Sequence, residues 1–316
     1  MRGAWLRVAG AFLVALGLHA TGTVLIEGYS EPFAIRAQLV LSCLLAVASV
    51  GQTLVVIVGG IDLSVPFVIG FANVVAAQLY GSGWPFPLVC LTVAALAGGI
   101  GALNGFLSAA LKVHPLILTL GVGTAVQGAV LLWTAGFPTG SAPEALTNFV
   151  SIGAEAWIFP VPWLVPATAA LLVAVMLVLA RTPFGRRLYA LGSNPVAARF
   201  ALISPVRMWT LTYALSAIGA AVAGVLLLGF TGSAYADVGQ PYLFQSIAAV
   251  VIGGTALTGG QGGYLGTVAG ALVLTEINTL LIGLGLQPSM VQAALGAVII
   301  GLVSLYGRAQ HVRTTI

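Results

Sequence analysis

The chain has 316 residues, of which 59% are hydrophobic and only 6% are charged. Soluble globular proteins carry about 25% charged residues, so this composition excludes a soluble enzyme, a soluble nucleic-acid-binding protein and a disordered tail. The net charge of +4 comes from eleven bases spread along the chain, which form no basic surface for nucleic acid. Glycine, at 41 residues, is about twice as frequent as usual and suits helices packed closely through small residues. The sequence predicts an integral membrane protein.

Ten apolar stretches approach or exceed the roughly 20 residues that a helix needs to cross a bilayer. In chain order they are Val8–Ile26, Ala37–Val58, Leu63–Tyr80, Phe86–Leu111, Pro115–Phe137, Val161–Ala180, Met208–Phe230, Leu243–Leu257, Gly263–Leu286 and Pro288–Tyr306. The eighth is short and the third is interrupted at Pro66, so nine to eleven spans are expected. Long continuous apolar runs exclude a β-barrel. The predicted fold class is all-α, with about ten transmembrane helices and a retained first helix.

The basic residues predict the orientation of these helices. If the N-terminus is cytoplasmic and ten spans alternate, the outer side receives one base, Arg36, and the acids Glu27, Glu31, Glu144, Glu155 and Asp237. The cytoplasmic side receives Arg2, Arg7, Lys112, Arg181, Arg186, Arg187, Arg199, Arg207, Arg308 and Arg313. This excess of bases inside is typical of membrane proteins and places both termini in the cytoplasm.

The same alternation gives a single transmembrane domain over residues 1–316. It has six spans in 8–180, a cytoplasmic loop at 181–207, four spans in 208–306 and a cytoplasmic tail at 307–316. Within it, Val55–Ser64 resembles Val250–Thr258. Paired halves with glycine-interrupted helices are common in transporters, and chance similarity in a chain rich in Ala, Gly and Val explains the likeness equally well.

Polar residues within the spans are costly and are therefore candidates for contact with a transported solute. Asp62, after Gly59-Gly60, or Ser64 would cap a new helix or contact the solute. Glu276 and Asn278 lie about 200° apart around a helix and cannot both face one cavity. The uncharged candidates are Gln52, Asn73, Gln78, Asn104, Thr119, Gln127 and Gln245. Interhelical hydrogen bonding is the simpler role for each alone, but many amides with few carboxylates favour a neutral polar solute over an ion.

The sequence contains no catalytic constellation. His19, His114 and His311 are scattered, Cys43 and Cys90 lie in apolar stretches, and HExxH, GxSxG and Walker motifs are absent. We therefore expect a transport subunit rather than an enzyme, with no cofactor in this chain. Energy for active transport must come from another chain.

The loop at 181–207 has a more specific pattern. A helix over Arg186–Leu191 would end at Gly192, and Asn194-Pro195 would begin a second helix with Asn194 as N-cap and Pro195 in its first position. Such a short amphipathic segment is either an anchor on the membrane surface or a docking element for another protein.

This loop resembles the cytoplasmic coupling loop of permease subunits of bacterial ATP-binding-cassette importers of the ribose/xylose/arabinose type. That family also has Gly-Gly-x-Asp-Leu-Ser-Val, matched by Gly59–Val65, and Pro-x-Ile-x-Thr-Leu, matched by Pro115–Leu120. A third pattern, Ile-Ala-Ala-Val-Val-x-Gly-Gly-Thr-x-Leu-x-Gly-Gly, is matched by Ile247–Gly260. The likeness runs in family order from about Val40 to Tyr306.

The resemblance implies a multi-pass sugar permease of the bacterial inner membrane, in contact with lipid and not with nucleic acid. Its implied partners are a second permease subunit, identical or not, a periplasmic sugar-binding protein and a cytoplasmic ATPase that binds ATP and Mg. The residues that the resemblance implies for the coupling loop, which would contact the ATPase, are Gly185, Ala190, Gly192, Asn194, Pro195, Ala197 and Ala198. The glycines that the resemblance implies for structural turns are Gly59, Gly60, Gly253, Gly254, Gly259 and Gly260. A branched-chain amino-acid permease of related fold and a secondary transporter are the alternatives.

Three positions depart from the family pattern. Pro66 stands where the family usually has glycine, which would stiffen the start of the third span. Leu202 replaces a usual glycine just before Ile203. The stretch Tyr242–Ile247 lacks the acidic pair of many relatives, and this change bears on the identity of the substrate.

Overall fold

The computed structural model describes residues 2–153 and 161–307. Within these ranges the secondary structure is helical, apart from one isolated β-bridge between Ser141 and Ser233. The helices are α1 (Arg2–Leu25), α2 (Pro32–Ala48), α3 (Val50–Val58), α4 (Val65–Gly81), α5 (Phe86–Leu111), α6 (Pro115–Trp133), α7 (Glu144–Val150), α8 (Leu164–Arg181), α9 (Pro183–Ser193), α10 (Pro195–Phe200), α11 (Pro205–Thr231), α12 (Tyr242–Ile252), α13 (Tyr264–Gly283) and α14 (Pro288–Gly307). Glu155, Arg308, His311, Arg313 and the predicted tail beyond 307 lie outside the described residues.

Seven helical segments in the described ranges are long and apolar enough to cross a membrane. They are α1, α2 continued by α3, α5, α6, α8, α11 and α13, and the shorter apolar helices are α4, α12 and the first part of α14. This confirms an all-α polytopic membrane protein. A helix covers most of each of the ten predicted stretches. How many of these helices cross the membrane completely stays a prediction.

Helix α11 forms the centre of the molecule and packs against α2, α3, α4 and α5. The helices approach each other closely because glycines, which have no side chain, lie at the points of contact. A Cβ at Gly101 or Gly105 of α5 would overlap the α11 backbone, and a Cβ at Gly224 of α11 would overlap the carbonyl oxygen of Ile69 in α4. The glycine content thus packs helix backbones against each other, as expected in a bilayer.

The second and third predicted spans are separated by a tight break. Gly59 ends α3 in the left-handed region at φ 93°, a conformation that glycine adopts without a Cβ penalty. After residues 60–64, α4 begins at Val65 with Pro66 in its second position. Proline is tolerated in a first helical turn, because its missing N–H would have no partner within the helix.

Residues 232–241 do not form a simple outer loop. Near Ser141, Ala234 N–H donates to the Gly140 carbonyl over 3.2 Å, and Tyr235 N–H then donates to Asn73 Oδ1 over 2.8 Å. Further along, Ala236 packs against Gly70, and Gly239 packs against Pro66. The segment therefore runs inward along α4 to its first turn.

This re-entrant segment, residues 232–241, explains why the eighth predicted stretch is short. Helix α12 begins only at Tyr242, well inside the molecule, and covers 11 residues. The segment also corrects the placement of Asp237 in an outer loop. Asp237 follows Ala236, which packs beside Gly70, and Gly70 lies roughly 16 Å along α4 from its end at Gly81 at 1.5 Å per residue.

Candidate functional site

The predicted coupling loop folds as two short helices, α9 and α10, and α9 packs against α3, α8 and the turn that follows α12. Thr182 caps α9, and Asn194 caps α10 by accepting hydrogen bonds from Val196 N–H and Ala197 N–H over 3.0 Å each. The prediction of Asn194 as N-cap and Pro195 as first residue is confirmed. Helix α9 begins at Pro183, earlier than expected.

Three backbone segments meet at Gly192. A Cβ there would overlap the Ile57 carbonyl oxygen at the end of α3, and the same oxygen accepts a hydrogen bond from Gly260 N–H over 2.8 Å. Tyr189 O–H donates to the Gly262 carbonyl over 2.7 Å. Burial raises the pKa of Tyr189, which keeps the phenol protonated as a donor. We call the contact of Gly192, Ile57 and Gly260 the junction.

The two glycine motifs of the sequence come together at the junction. Gly259, at φ 84°, lies against the backbone of Gly59, and Gly60 packs against the Tyr213 hydroxyl. Gly253 packs against the backbone of Gly266, and Gly254, at φ 83°, lies beside Arg7. The two segments that resemble one another in sequence are therefore neighbours in space.

The expected docking residues divide into an inner and an outer set. Gly185 packs against the carbonyl of Leu179, and Gly185 and Ala198 are buried. Together with Gly192, they contact the permease itself, because α9 and α10 need small residues to lie close to α3 and α8. The exposed members are Ala190, Asn194, Pro195 and Ala197.

Large exposed apolar residues that were not among the predicted docking residues lie on α10 and directly after it. Phe200 is 86% exposed and Leu202 is 92% exposed, with Val196 beside them in the same short segment. Exposed apolar residues in a cluster are typical of a surface that another protein covers. Their exposure depends on the fold, so the sequence alone gave no signal for them.

Leu202 occupies a backbone conformation that favours glycine. Its φ is 58°, Leu202 N–H donates to the Arg199 carbonyl over 2.9 Å, and Ile203 N–H donates to the Ala198 carbonyl over 3.0 Å. These two bonds define a Schellman motif, whose left-handed position is usually glycine. The glycine of the family pattern therefore matches the geometry, and the leucine of this chain is strained.

A cavity of about 760 Å³ lies among α12, α13 and α14, within the usual size of small-molecule sites. Four amides line it: Gln240 and Gln245 from the re-entrant segment and α12, Asn278 from α13, and Gln292 from α14. No charged side chain is among its lining residues in the described part of the chain. Gln245 and Asn278 were predicted. Gln240, which lies between the seventh and eighth predicted stretches, and Gln292 were not among the predicted residues.

Most of the other predicted polar residues bind neighbouring segments instead. Asp62 is buried and accepts hydrogen bonds from Ser64 N–H over 2.9 Å and Ser216 Oγ over 2.8 Å. Asn104 Nδ2 donates to Ser64 Oγ over 3.1 Å. Thr119 Oγ1 accepts from Leu63 N–H, Asn73 joins Gly224 to Tyr235, and Gln78 donates to Thr139.

Two further predicted residues show different environments. Gln52 is fully buried, and neither polar atom of its side chain has a hydrogen-bond partner among the described residues. Gln127 Nε2 donates to Asp237 Oδ1 over 2.6 Å. Asp237 is thus a site candidate that the sequence analysis assigned to the outer surface.

Glu276 faces away from the cavity that Asn278 lines, as the predicted 200° separation requires. It accepts a hydrogen bond from Tyr29 O–H over 2.9 Å and lies 3.4 Å from His19 Nδ1. Burial raises the pKa of Tyr29 to about 12. This cluster joins α1 and the following loop to α13, and contact of Glu276 with the solute stays a prediction.

Comparison with known proteins places the chain in a family. The model of the permease component of branched-chain amino acid transport systems matches residues 34–303. The ribose import permease protein RbsC of Bacillus subtilis (strain 168) is 33% identical over 303 residues, which cover 95% of this chain and 92% of that protein.

Two further relatives have similar coverage. RbsC of Escherichia coli (strain K12) is 34% identical over 263 residues, 82% of this chain and 81% of that protein. The autoinducer 2 import system permease protein LsrD of Escherichia coli O9:H4 (strain HS) is 31% identical over 275 residues, 84% of this chain and 80% of that protein. No solved structure matches the chain.

The chain belongs to this family of permease components. It is the membrane-spanning permease subunit of an ATP-binding-cassette importer, a multi-pass protein of the bacterial inner membrane and a transport component rather than an enzyme. Its partners are an ATPase and a binding protein. These relatives favour neither the branched-chain amino-acid permease nor the secondary transporter.

Proposed function

We propose that this permease translocates a ribose-like sugar. The observation that carries the proposal is the cavity among α12, α13 and α14, whose polar lining groups are four uncharged amides. An amide both donates and accepts hydrogen bonds, as a sugar hydroxyl does. The apolar walls, which include Phe244 and Val291, suit the C–H faces of a sugar ring. Two of the relatives are named as ribose permeases, which supports the same substrate class.

The proposed complex contains two permease subunits. The cavity opens at the surface of this subunit, where Phe244, Ile282 and Ile300 are exposed. A second subunit on this surface would cover the apolar side chains and enclose a pathway between the two subunits. In this proposal ATP and Mg are bound by the partner ATPase, and no cofactor is bound by the permease.

Coupling would run through the junction. The ATPase would bind the exposed side of α10, and its ATP-driven closure would displace α9 and α10. Because Gly192 lies against Ile57 and Gly260, this displacement would reach the end of α3 and the turn that follows α12. Helix α12 carries Gln245 into the cavity, so motion of the coupling helices would change the pathway.

Uptake by the reconstituted complex tests the proposal. Proteoliposomes would contain the permease and its ATPase, with ATP inside them and the binding protein outside. We expect ATP-dependent accumulation of D-ribose that requires the binding protein, and no accumulation of L-leucine under the same conditions. Accumulation of leucine but not of ribose would contradict the sugar assignment.

A further inference from the structure

The re-entrant segment carries a carboxylate to an unusual depth. Asp237 is exposed, although it follows Ala236, whose backbone packs against Gly70 in the middle part of α4. Before Asp237 in the chain, Tyr235 N–H donates to Asn73, and after it Gly239 packs against Pro66. These two contacts fix the position of Asp237 along α4.

The environment of this carboxylate must be aqueous. Non-helical backbone at membrane depth is tolerated only where it is buried in protein or lines a water-filled cavity, and a charged side chain there usually marks a substrate pathway. Ala236 and Gly239 are buried against α4, whereas Asp237 and Gln240 are exposed. One side of the re-entrant segment therefore packs against α4, and the other side presents exposed polar side chains to an open space.

The side chain of Asp237 is held by a hydrogen bond at one carboxylate oxygen and can accept others at the second. Gln127 Nε2 donates to Asp237 Oδ1 over 2.6 Å, whereas Oδ2 has no hydrogen-bond partner among the described residues. A carboxylate accepts several hydrogen bonds, and those from neutral hydroxyl groups are charge-assisted.

Asp237 is also close along the chain to a residue that lines the cavity. Gln240 N–H donates to the Asp237 carbonyl over 3.0 Å, which forms a turn between the two residues. The side chain of Gln240 is the first of the four amides that line the cavity.

We propose that Asp237 is a specificity-determining residue of the pathway, where its carboxylate accepts hydrogen bonds from hydroxyl groups of the passing sugar. This inference rests on the proposed function. It adds that Asp237 discriminates between sugars by the hydroxyl groups that they carry. Gln127 is the positioning residue, because its hydrogen bond to Oδ1 holds the carboxylate and leaves Oδ2 without a partner among the described residues. A sugar that lacks one hydroxyl of the set loses a charge-assisted bond and passes less readily.

Uptake of two sugars tests this role. D-ribose and 2-deoxy-D-ribose would each be supplied to complete importer complexes in proteoliposomes, at concentrations that saturate the binding protein. The variant Asp237→Asn keeps an oxygen that accepts from Gln127 and removes the charge. The matched control is Glu144→Gln, which neutralises an exposed acid on α7 outside the pathway.

We expect wild type to transport ribose faster than deoxyribose. Asp237→Asn should lower the ribose rate about tenfold, as for loss of a hydrogen bond to a charged group, and bring the ratio of the two rates close to one. Glu144→Gln should change neither rate. Thermal stability should stay unchanged in both variants, and the ATP hydrolysis stimulated by the binding protein should stay unchanged in Glu144→Gln.

Two results would overturn the inference. One is an Asp237→Asn complex with the rates and ratio of wild type. The other is an equal loss for both sugars together with a lower melting temperature, since this would mean that Asp237 only stabilises the segment. A wild-type complex that transports neither sugar would instead contradict the proposed function.

Discussion

Asp62 shows how a buried acid can serve structure within a membrane protein. Its carboxylate accepts hydrogen bonds from Ser64 and Ser216, and Asn104 in turn donates to Ser64. The network joins the break between α3 and α4 to α5 and α11. These hydrogen bonds fix the break between α3 and α4, and contact of Asp62 with the solute stays a prediction.

Replacement of Asp62 should therefore reduce stability. Asp62→Leu would leave Ser64 N–H and Ser216 Oγ buried without acceptors, at a cost of about 1–3 kcal/mol for each group. Asp62→Asn keeps one acceptor oxygen and should be milder. Thermal unfolding in detergent would measure the difference, with Glu144→Gln as the control. A melting temperature of Asp62→Leu equal to that of wild type would contradict this account.

Residue roles were predictable where local chemistry decides them. Asn194 caps α10 because its short side chain reaches the first N–H groups of the helix, and this needs only neighbouring residues. The exposed side of α10 and the pairing of Gln127 with Asp237 depend on packing between distant segments. The sequence contains no local signal for either.

Among the elements, α10 is followed by a strained residue, Leu202. An L-residue in the left-handed region costs about 1–2 kcal/mol relative to the right-handed helix, and Leu202 accepts this cost with a 92% exposed side chain. Strain of this kind is often kept at functional sites. In the proposed complex, Leu202 contacts the ATPase.

Leu202→Gly should separate strain from docking. The variant should raise the stability of the loop by about 1 kcal/mol, because glycine adopts this conformation freely. Affinity for the ATPase should fall, because the apolar side chain is lost. Leu202→Ala is the control, since it loses the side chain and keeps the strain. If both variants retain the ATPase through co-purification as well as wild type, Leu202 is not a docking residue.

The re-entrant segment is the element that sequence patterns could least predict. Its glycine and polar residues are typical of an outer loop, and the short eighth stretch was the one sign of a different path. The fold places it beside α4 because Gly70 and Gly239 allow backbone to approach backbone. That complementarity joins residues far apart in the chain, which a reading of local periodicity does not detect.

For the whole molecule, the packing agrees with the predicted orientation. The predicted outer residues Ser141 and Ser233 meet at one end, whereas α9 and the turn after α12 meet at the other. Composition and charge predict this orientation, because hydropathy and the excess of basic residues inside act over the full chain, and the orientation stays a prediction.

Cysteine labelling tests the orientation. In a background without Cys43 and Cys90, a cysteine introduced by Ala197→Cys should react with a membrane-impermeant reagent only after the cytoplasmic side is opened. A cysteine introduced by Ala145→Cys, on α7, should react in intact cells. Both positions are exposed, so accessibility within the protein is matched. Reaction of both from the same side would contradict the alternation of spans.

The central claim is that the junction transmits ATP-driven motion to the pathway. Gly192→Ala tests it most directly, because a Cβ there would overlap the Ile57 carbonyl and force α9 away from α3. Gly128→Ala in α6 is the control, since a Cβ at Gly128 meets no atom within 4 Å. The measurement is the amount of D-ribose transported per ATP hydrolysed by the reconstituted importer. We expect Gly192→Ala to assemble and hydrolyse ATP but to transport far less sugar per ATP, with Gly128→Ala equal to wild type. An unchanged ratio in an assembled Gly192→Ala complex would contradict the claim.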